Sequence, residues 1–122
     1  MVGTKTILVV DDEVEIVELL TLLLDGDGRT ILGAYDGNAA LEIVREQRPD
    51  LVISDVMMPG IDGLELCRII QSDPGFGEIS IVLMSAINKL DLRECREDVF
   101  ISKPFDIFTI EQTVERLLAG LA

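Results

Sequence analysis

Leu51-Val52-Ile53-Ser54-Asp55 is an apolar run that ends on a carboxylate and then breaks into Met57-Met58-Pro59-Gly60. No other stretch constrains the fold of this chain as tightly. An apolar run without polar alternation suits a strand buried on both faces, and such a strand needs helices above and below its sheet. Asp55 would then stand at the C-terminal edge of the strand, where open α/β sheets bind their ligands. A single Asp in such a place is most simply a polar residue that ends a strand. Three further runs, however, close in the same way. Ile7-Leu8-Val9-Val10 stops at Asp11-Asp12-Glu13, the run from Ile79 to Met84 stops at Ser85, and Val99-Phe100-Ile101-Ser102 stops at Lys103-Pro104.

Between these runs the apolar residues recur with a helical period from Val14 to Leu24, from Ala39 to about Gln47 and from Gly63 to Gln71. The last helix has the cleanest period, with Ile107, Ile110, Val114, Leu117, Leu118 and Leu121 on one face. A weaker strand is expected from Thr30 to Tyr35, and Asn88 to Asp98 carry only a faint helical pattern through Leu90, Leu92 and Cys95. Strands alternating with helices predict βαβ units, and right-handed crossovers reduce the topologies to a few. The expectation is an α/β fold: a doubly wound, five-stranded parallel sheet in the flavodoxin-like order 2-1-3-4-5, with helices on both faces. A chain of 122 residues matches one domain, read here as 1–122. In that order strands one, three, four and five are neighbours, so Asp11, Asp12, Asp55, Ser85 and Lys103 meet at one edge.

Three carboxylates held together repel one another unless protons or a cation intervene. A hard divalent ion such as Mg²⁺ accepts oxygen ligands and keeps several waters, so one or two carboxylates suffice to hold it. With no histidine and two separated cysteines, a zinc or copper site has no ligand set. A metal, a lysine and a hydroxyl around one further carboxylate suit phosphoryl transfer, with Asp55 as nucleophile, Lys103 neutralising the transferred oxygens and Ser85 donating a hydrogen bond to them. The net charge of −13 disfavours nucleic acid and anionic membrane surfaces as direct partners. No apolar segment reaches membrane-spanning length and the start lacks a signal-peptide core, so a cytoplasmic location is expected. Cys67 and Cys95, both inside helical patterns, are expected to be buried, unpaired small hydrophobes in a reducing compartment.

The set Asp11-Asp12, Asp55, Ser85 and Lys103-Pro104 resembles the receiver domain of two-component response regulators. The likeness extends through Asp55-Val56-Met57-Met58-Pro59-Gly60-Ile61-Asp62-Gly63 and Phe100-Ile101-Ser102-Lys103-Pro104-Phe105. It implies Asp55 as the phosphoacceptor, modified to 4-aspartylphosphate by a histidine kinase, a phosphotransfer protein or a small phosphodonor. It further implies Mg²⁺ ligation by Asp12, Asp55 and the backbone carbonyl of Met57, with Asp11 acting largely through water, and a cis Lys103–Pro104 bond. Ser85 and Phe100 would form a switch, the aromatic ring turning inward as the hydroxyl moves towards the phosphoryl group. Such a chain is not a turnover enzyme but catalyses its own phosphorylation and dephosphorylation. Its output goes to a downstream protein or effector domain, and the resemblance leaves room for a phosphorylation-dependent dimer.

The rival reading is a Mg²⁺-dependent phosphohydrolase acting through an aspartyl-phosphate. Enzymes of the haloacid dehalogenase kind place a second Asp two residues after the nucleophile, and here that position is Met57. The chain also departs from the receiver pattern between Ser85 and Phe100, where the spacing is shorter by roughly one helical turn. A short or irregular helix is therefore expected over 88–98, with the output surface shifted towards the fifth strand and the last helix.

Overall fold

The computed structural model describes residues 4–26, 28–86, 95–96 and 98–120. Its elements run β1 (Lys5–Val10), α1 (Val14–Leu24), β2 (Arg29–Ala34), α2 (Gly37–Gln47), β3 (Leu51–Asp55), α3 (Gly63–Ser72), a 3-10 turn (Pro74–Phe76), β4 (Ser80–Ser85), β5 (Val99–Ser102) and α4 (Ile107–Leu118). The strands form one parallel sheet in the order β2-β1-β3-β4-β5, as expected. The stretch 88–98, where a short helix was expected, lies mostly outside the described residues.

Alternation along the strands divides the core in two. Ile7 and Val9 of β1, Ile53 of β3 and Val82 and Met84 of β4 pack with Val17 and Leu20 of α1 and Ile110 and Val114 of α4. Leu8, Val10, Val52, Ile81 and Leu83 point the other way, onto Leu41 and Val44 of α2 and Leu66 and Ile70 of α3. All five residues of β3 are buried, which is why its sequence shows no alternation. Helices α2, α3 and α4 start on carboxylate caps: Asp36 accepts from the Ala39 amide at 2.8 Å, Asp62 from Glu65 at 2.9 Å and Asp106 from Phe108 at 2.8 Å. Each cap satisfies an amide that the first helical turn leaves without a partner.

Two expectations need correction. Ile107 is 51% exposed and Thr113 is buried, so the inward face of α4 centres on Ile110, Thr113 and Val114. Ile107 is the first residue of α4, one turn before the buried stripe begins. Cys67 and Cys95 are buried but not unpaired, since they form a disulfide with a Cα–Cα distance of 5.8 Å. Cys95 is not helical, and it meets Cys67 because residues 95–96 lie against α3, where Arg96 exchanges hydrogen bonds with Gln71. A separation of 28 residues concealed that proximity. The bond also removes cysteine usage as an argument for a reducing compartment.

Candidate functional site

From β1 the chain leaves to β2 on one side and returns to β3 on the other, so a crevice opens at the C-terminal ends of these two central strands. Asp11 directly follows β1 and Asp55 is the last residue of β3. Together with Asp12 they offer three carboxylate oxygens that lie within 4.8 Å of one another. Asp11 is fully buried, Asp55 is 5% exposed and Asp12 is exposed. Two of the three charges thus sit where water screens them poorly.

Lys103 supplies the compensating charge. Its Nζ donates to Asp11 Oδ2 at 2.9 Å and lies 3.0 Å from Asp55 Oδ1. The second oxygen of Asp11 accepts from the Glu13 amide at 2.9 Å, which ties the start of α1 to the site. Burial pushes the Asp55 carboxyl above its ordinary value, with Lys103 opposing that shift and Asp11 and Asp12 adding to it. Burial works against the Lys103 ammonium, but its hydrogen bonds to Asp11 and Asp55 outweigh it and hold the proton more tightly than in a free lysine.

Backbone contacts fix the walls. The Lys103 amide donates to the Ser85 carbonyl at 2.8 Å, so the hydroxyl residue and the lysine leave adjacent strands together. Ser85 itself is 2% exposed. The Lys103–Pro104 bond is cis. The Val56 amide donates to the Met84 carbonyl at 2.8 Å, and the Gly63 amide to the Val56 carbonyl at 3.0 Å, which brings α3 onto the end of β3. A Cβ at Gly63 would lie 2.2 Å from the Asp55 carbonyl oxygen, so only glycine fits there. An open crevice of about 340 Å³ beside the site is lined by Ile16, Ala86, Lys103, Pro104 and Phe105.

The site residues expected from sequence therefore converge: Asp11, Asp12, Asp55, Ser85 and Lys103 share one edge of the sheet. Met57 lies in the turn after β3 and is 56% exposed, so any part it plays falls to its backbone. Phe100 is not at this edge. It is half-buried on β5, opposite Leu83 of β4, and packs against the core shared with α2 and α3. Sequence reasoning assigned Asp11 a water-mediated part and missed that its buried carboxylate is the direct partner of Lys103. The Asp11-Asp12 pair signalled two acids but not which one faces inward. An all-oxygen donor set of three carboxylates fits a hard divalent cation such as Mg²⁺.

The family described as the response regulator receiver domain matches residues 7–115. The DNA-binding response regulator MtrA of Mycolicibacterium paratuberculosis is 42% identical over 105 residues, which cover 83% of this chain and 45% of that protein. The chain thus spans about half the length of the curated relatives it matches. A solved structure of a putative response regulator from Chloroflexus aurantiacus aligns with a TM-score of 0.87 and 30% identity, covering 96% of this chain and 99% of the other. The receiver domain of a signal transduction histidine kinase from Syntrophus aciditrophicus aligns with a TM-score of 0.85 and 33% identity, covering 96% and 92%.

Proposed function

Since the chain belongs to the response regulator receiver family, we propose that Asp55 is its phosphoacceptor and that an acidic site holding Mg²⁺ makes the transfer possible. The observation that carries this reading is the bridging of two buried carboxylates by Lys103 beside a third, exposed one. An Asp55 oxygen attacks the phosphorus of a phosphohistidine or acyl phosphate, the donor's bond to phosphorus breaks, and an aspartyl-phosphate remains. Lys103 leaves the carboxylate it neutralised and pairs with a phosphoryl oxygen, so the ammonium stays compensated throughout. Ser85 donates its hydroxyl to a second phosphoryl oxygen. Asp11, Asp12, Asp55 and the Met57 carbonyl would hold Mg²⁺, which when bound neutralises charge on the transferred oxygens.

Movement of Ser85 towards the phosphoryl group vacates space on its face of β4, and Phe100, half-buried on the neighbouring strand, turns into it. That coupling makes the chain an interaction module whose product is an altered surface. The upstream partner is a histidine kinase or phosphotransfer protein, and the downstream partner a protein or effector domain. A phosphorylation-dependent dimer is a further form the output takes in this reading. The MtrA relatives are DNA-binding regulators, but at −13 this chain is not itself the DNA contact. Residues 1–122 act as one receiver unit. No helix among the described residues is long and apolar enough to cross a membrane, and we place the chain in the cytoplasm with its kinase's catalytic region.

The test is incubation with Mg²⁺ and a small acyl phosphate, followed by intact mass and peptide mapping. One phosphoryl group on Asp55, absent from Asp55→Asn and in metal-free buffer, is the expected result. Continuous phosphate release without an accumulating phosphoprotein would instead establish the phosphohydrolase reading.

A further inference from the structure

The disulfide joins two parts of the chain that the phosphoacceptor chemistry leaves unused. Cys67 lies on the buried face of α3, and Cys95 lies in the segment that leads into β5. Both sulfurs belong to the core that receives Phe100. The covalent ring they close contains the whole of β4 and therefore Ser85. Ile81 and Leu83 point into this same core, so Ser85, two residues further along β4, faces the same side.

Around the bond the segment is stitched down by hydrogen bonds. The Arg96 amide donates to Gln71 Oε1 of α3 at 2.8 Å, and Gln71 Nε2 donates back to the Arg96 carbonyl. The Asp98 amide donates to the Ile81 carbonyl at 2.7 Å, and Asp98 Oδ2 accepts from the Ile81 amide at 2.7 Å. The Gln71 pair is exposed and competes with water, so alone it holds the segment weakly. The disulfide is the strongest of these ties between α3 and the approach to β5. It crosslinks the packing through which Ser85 and Phe100 would have to move.

We infer that Cys67–Cys95 is a redox-operated clamp: oxidised, it holds Cys95 and Arg96 against α3 and restrains the Ser85–Phe100 movement; reduced, it frees that movement. The inference rests on the phosphoacceptor reading for what the movement reports. Reduction proceeds by thiol–disulfide exchange. A small-molecule thiolate attacks Sγ of Cys95, the Sγ–Sγ bond breaks and Cys67 leaves as a thiolate that takes up a proton. A second small thiolate then attacks the small molecule's sulfur in that mixed disulfide, and Cys95 leaves as a thiolate that takes up a proton. The sum is one protein disulfide and two thiols giving two protein thiols and one small-molecule disulfide, with two electrons and two protons delivered to the protein. Both sulfurs are almost fully covered, so exchange waits on local opening of the segment. A bond of this kind in an intracellular protein belongs to the transient, redox-sensing class.

The experiment compares the full chain equilibrated in oxidised and in reduced glutathione, with redox state verified by thiol alkylation and mass. Amide hydrogen exchange is read at Arg96, Asp98 and Phe100, before and after phosphorylation by a small acyl phosphate with Mg²⁺. In the oxidised chain, Arg96 and Asp98 should exchange about tenfold more slowly than in the reduced chain. The phosphorylation-induced change at Phe100 should be at least about threefold larger in the reduced chain. The Cys67→Ala, Cys95→Ala double variant should behave like reduced wild type in both buffers. The wild-type comparison decides the matter alone if that variant folds poorly. Phosphorylated chains with the same exchange in both redox states would overturn the clamp and leave the phosphoacceptor reading standing. No phosphoryl uptake in either state would overturn that reading, and with it the coupling inferred here.

Discussion

Lys103→Met tests how the site is held together. The substitution keeps most of the side-chain volume and removes the ammonium that sits 2.9 Å from Asp11 and 3.0 Å from Asp55. At an effective dielectric of about 20 each contact is worth roughly 6 kcal/mol before desolvation is counted. Burying three charged groups offsets much of that. The Lys103 side chain is 14% exposed, Asp11 0% and the Asp55 side chain 8%, so surface screening does not account for the pair. Removing one member leaves two buried carboxylates without a counter-charge, a loss of about 3–5 kcal/mol. With a urea slope near 2 kcal/mol/M, the unfolding midpoint of the metal-free variant should fall by roughly 2 M. Saturating Mg²⁺ should recover at least half of that loss, because the cation replaces the missing positive charge, and it should stabilise the variant more than the wild type. The assay is urea unfolding followed by circular dichroism, with chelator and with Mg²⁺. A midpoint within about 0.3 M of wild type in chelator, the range of a surface substitution, would refute the buried bridge.

Other consequences follow from the same geometry. Gly63→Ala forces a methyl into the Asp55 carbonyl and should cost about 1–3 kcal/mol while slowing phosphoryl uptake, which thermal unfolding and a phosphorylation time course would measure. Asp12→Ala should weaken Mg²⁺ binding about tenfold or more, since it removes one of three clustered oxygens; wild-type affinity by calorimetric titration would exclude Asp12 as a ligand. Burial raises the Asp55 carboxyl above its ordinary value, so its proton competes with Mg²⁺ at a higher pH than at an ordinary aspartate, and calorimetric titrations on acidification should show affinity falling earlier than in a protein whose aspartate ligands are solvent-exposed. Lys103 is raised above 10.5, so its contribution to stability is complete below that pH and is lost as pH rises through the higher folded value, an effect an alkaline unfolding series in wild type and Lys103→Met would isolate. Reducing the disulfide removes a cross-link spanning 28 residues and should lower stability by about 3.5 kcal/mol on the chain-entropy model, visible in paired urea curves.

Much of this molecule is legible in its local sequence. α1 spans Val14–Leu24 and β5 Val99–Ser102, as periodicity and apolar runs predict, because both signals depend on residues a few positions apart. Right-handed crossovers then leave so few strand orders that the sequence alone places Asp11, Asp55, Ser85 and Lys103 at one edge. The tertiary structure decided what depends on distances between residues remote in sequence. It chose Asp11 over Asp12 as the buried partner of Lys103, although both carboxylates reach the same cluster, because Asp11 is the one covered at the end of β1 while Asp12 stays exposed. It set Gly63 against the Asp55 carbonyl through the angle at which α3 meets β3. It left Ile107 exposed, since a helical period defines a stripe but not where the neighbouring layer ends. Finally it joined Cys67 to Cys95. Two cysteines 28 residues apart carry no pairing signal until the chain has brought their Cα atoms to 5.8 Å.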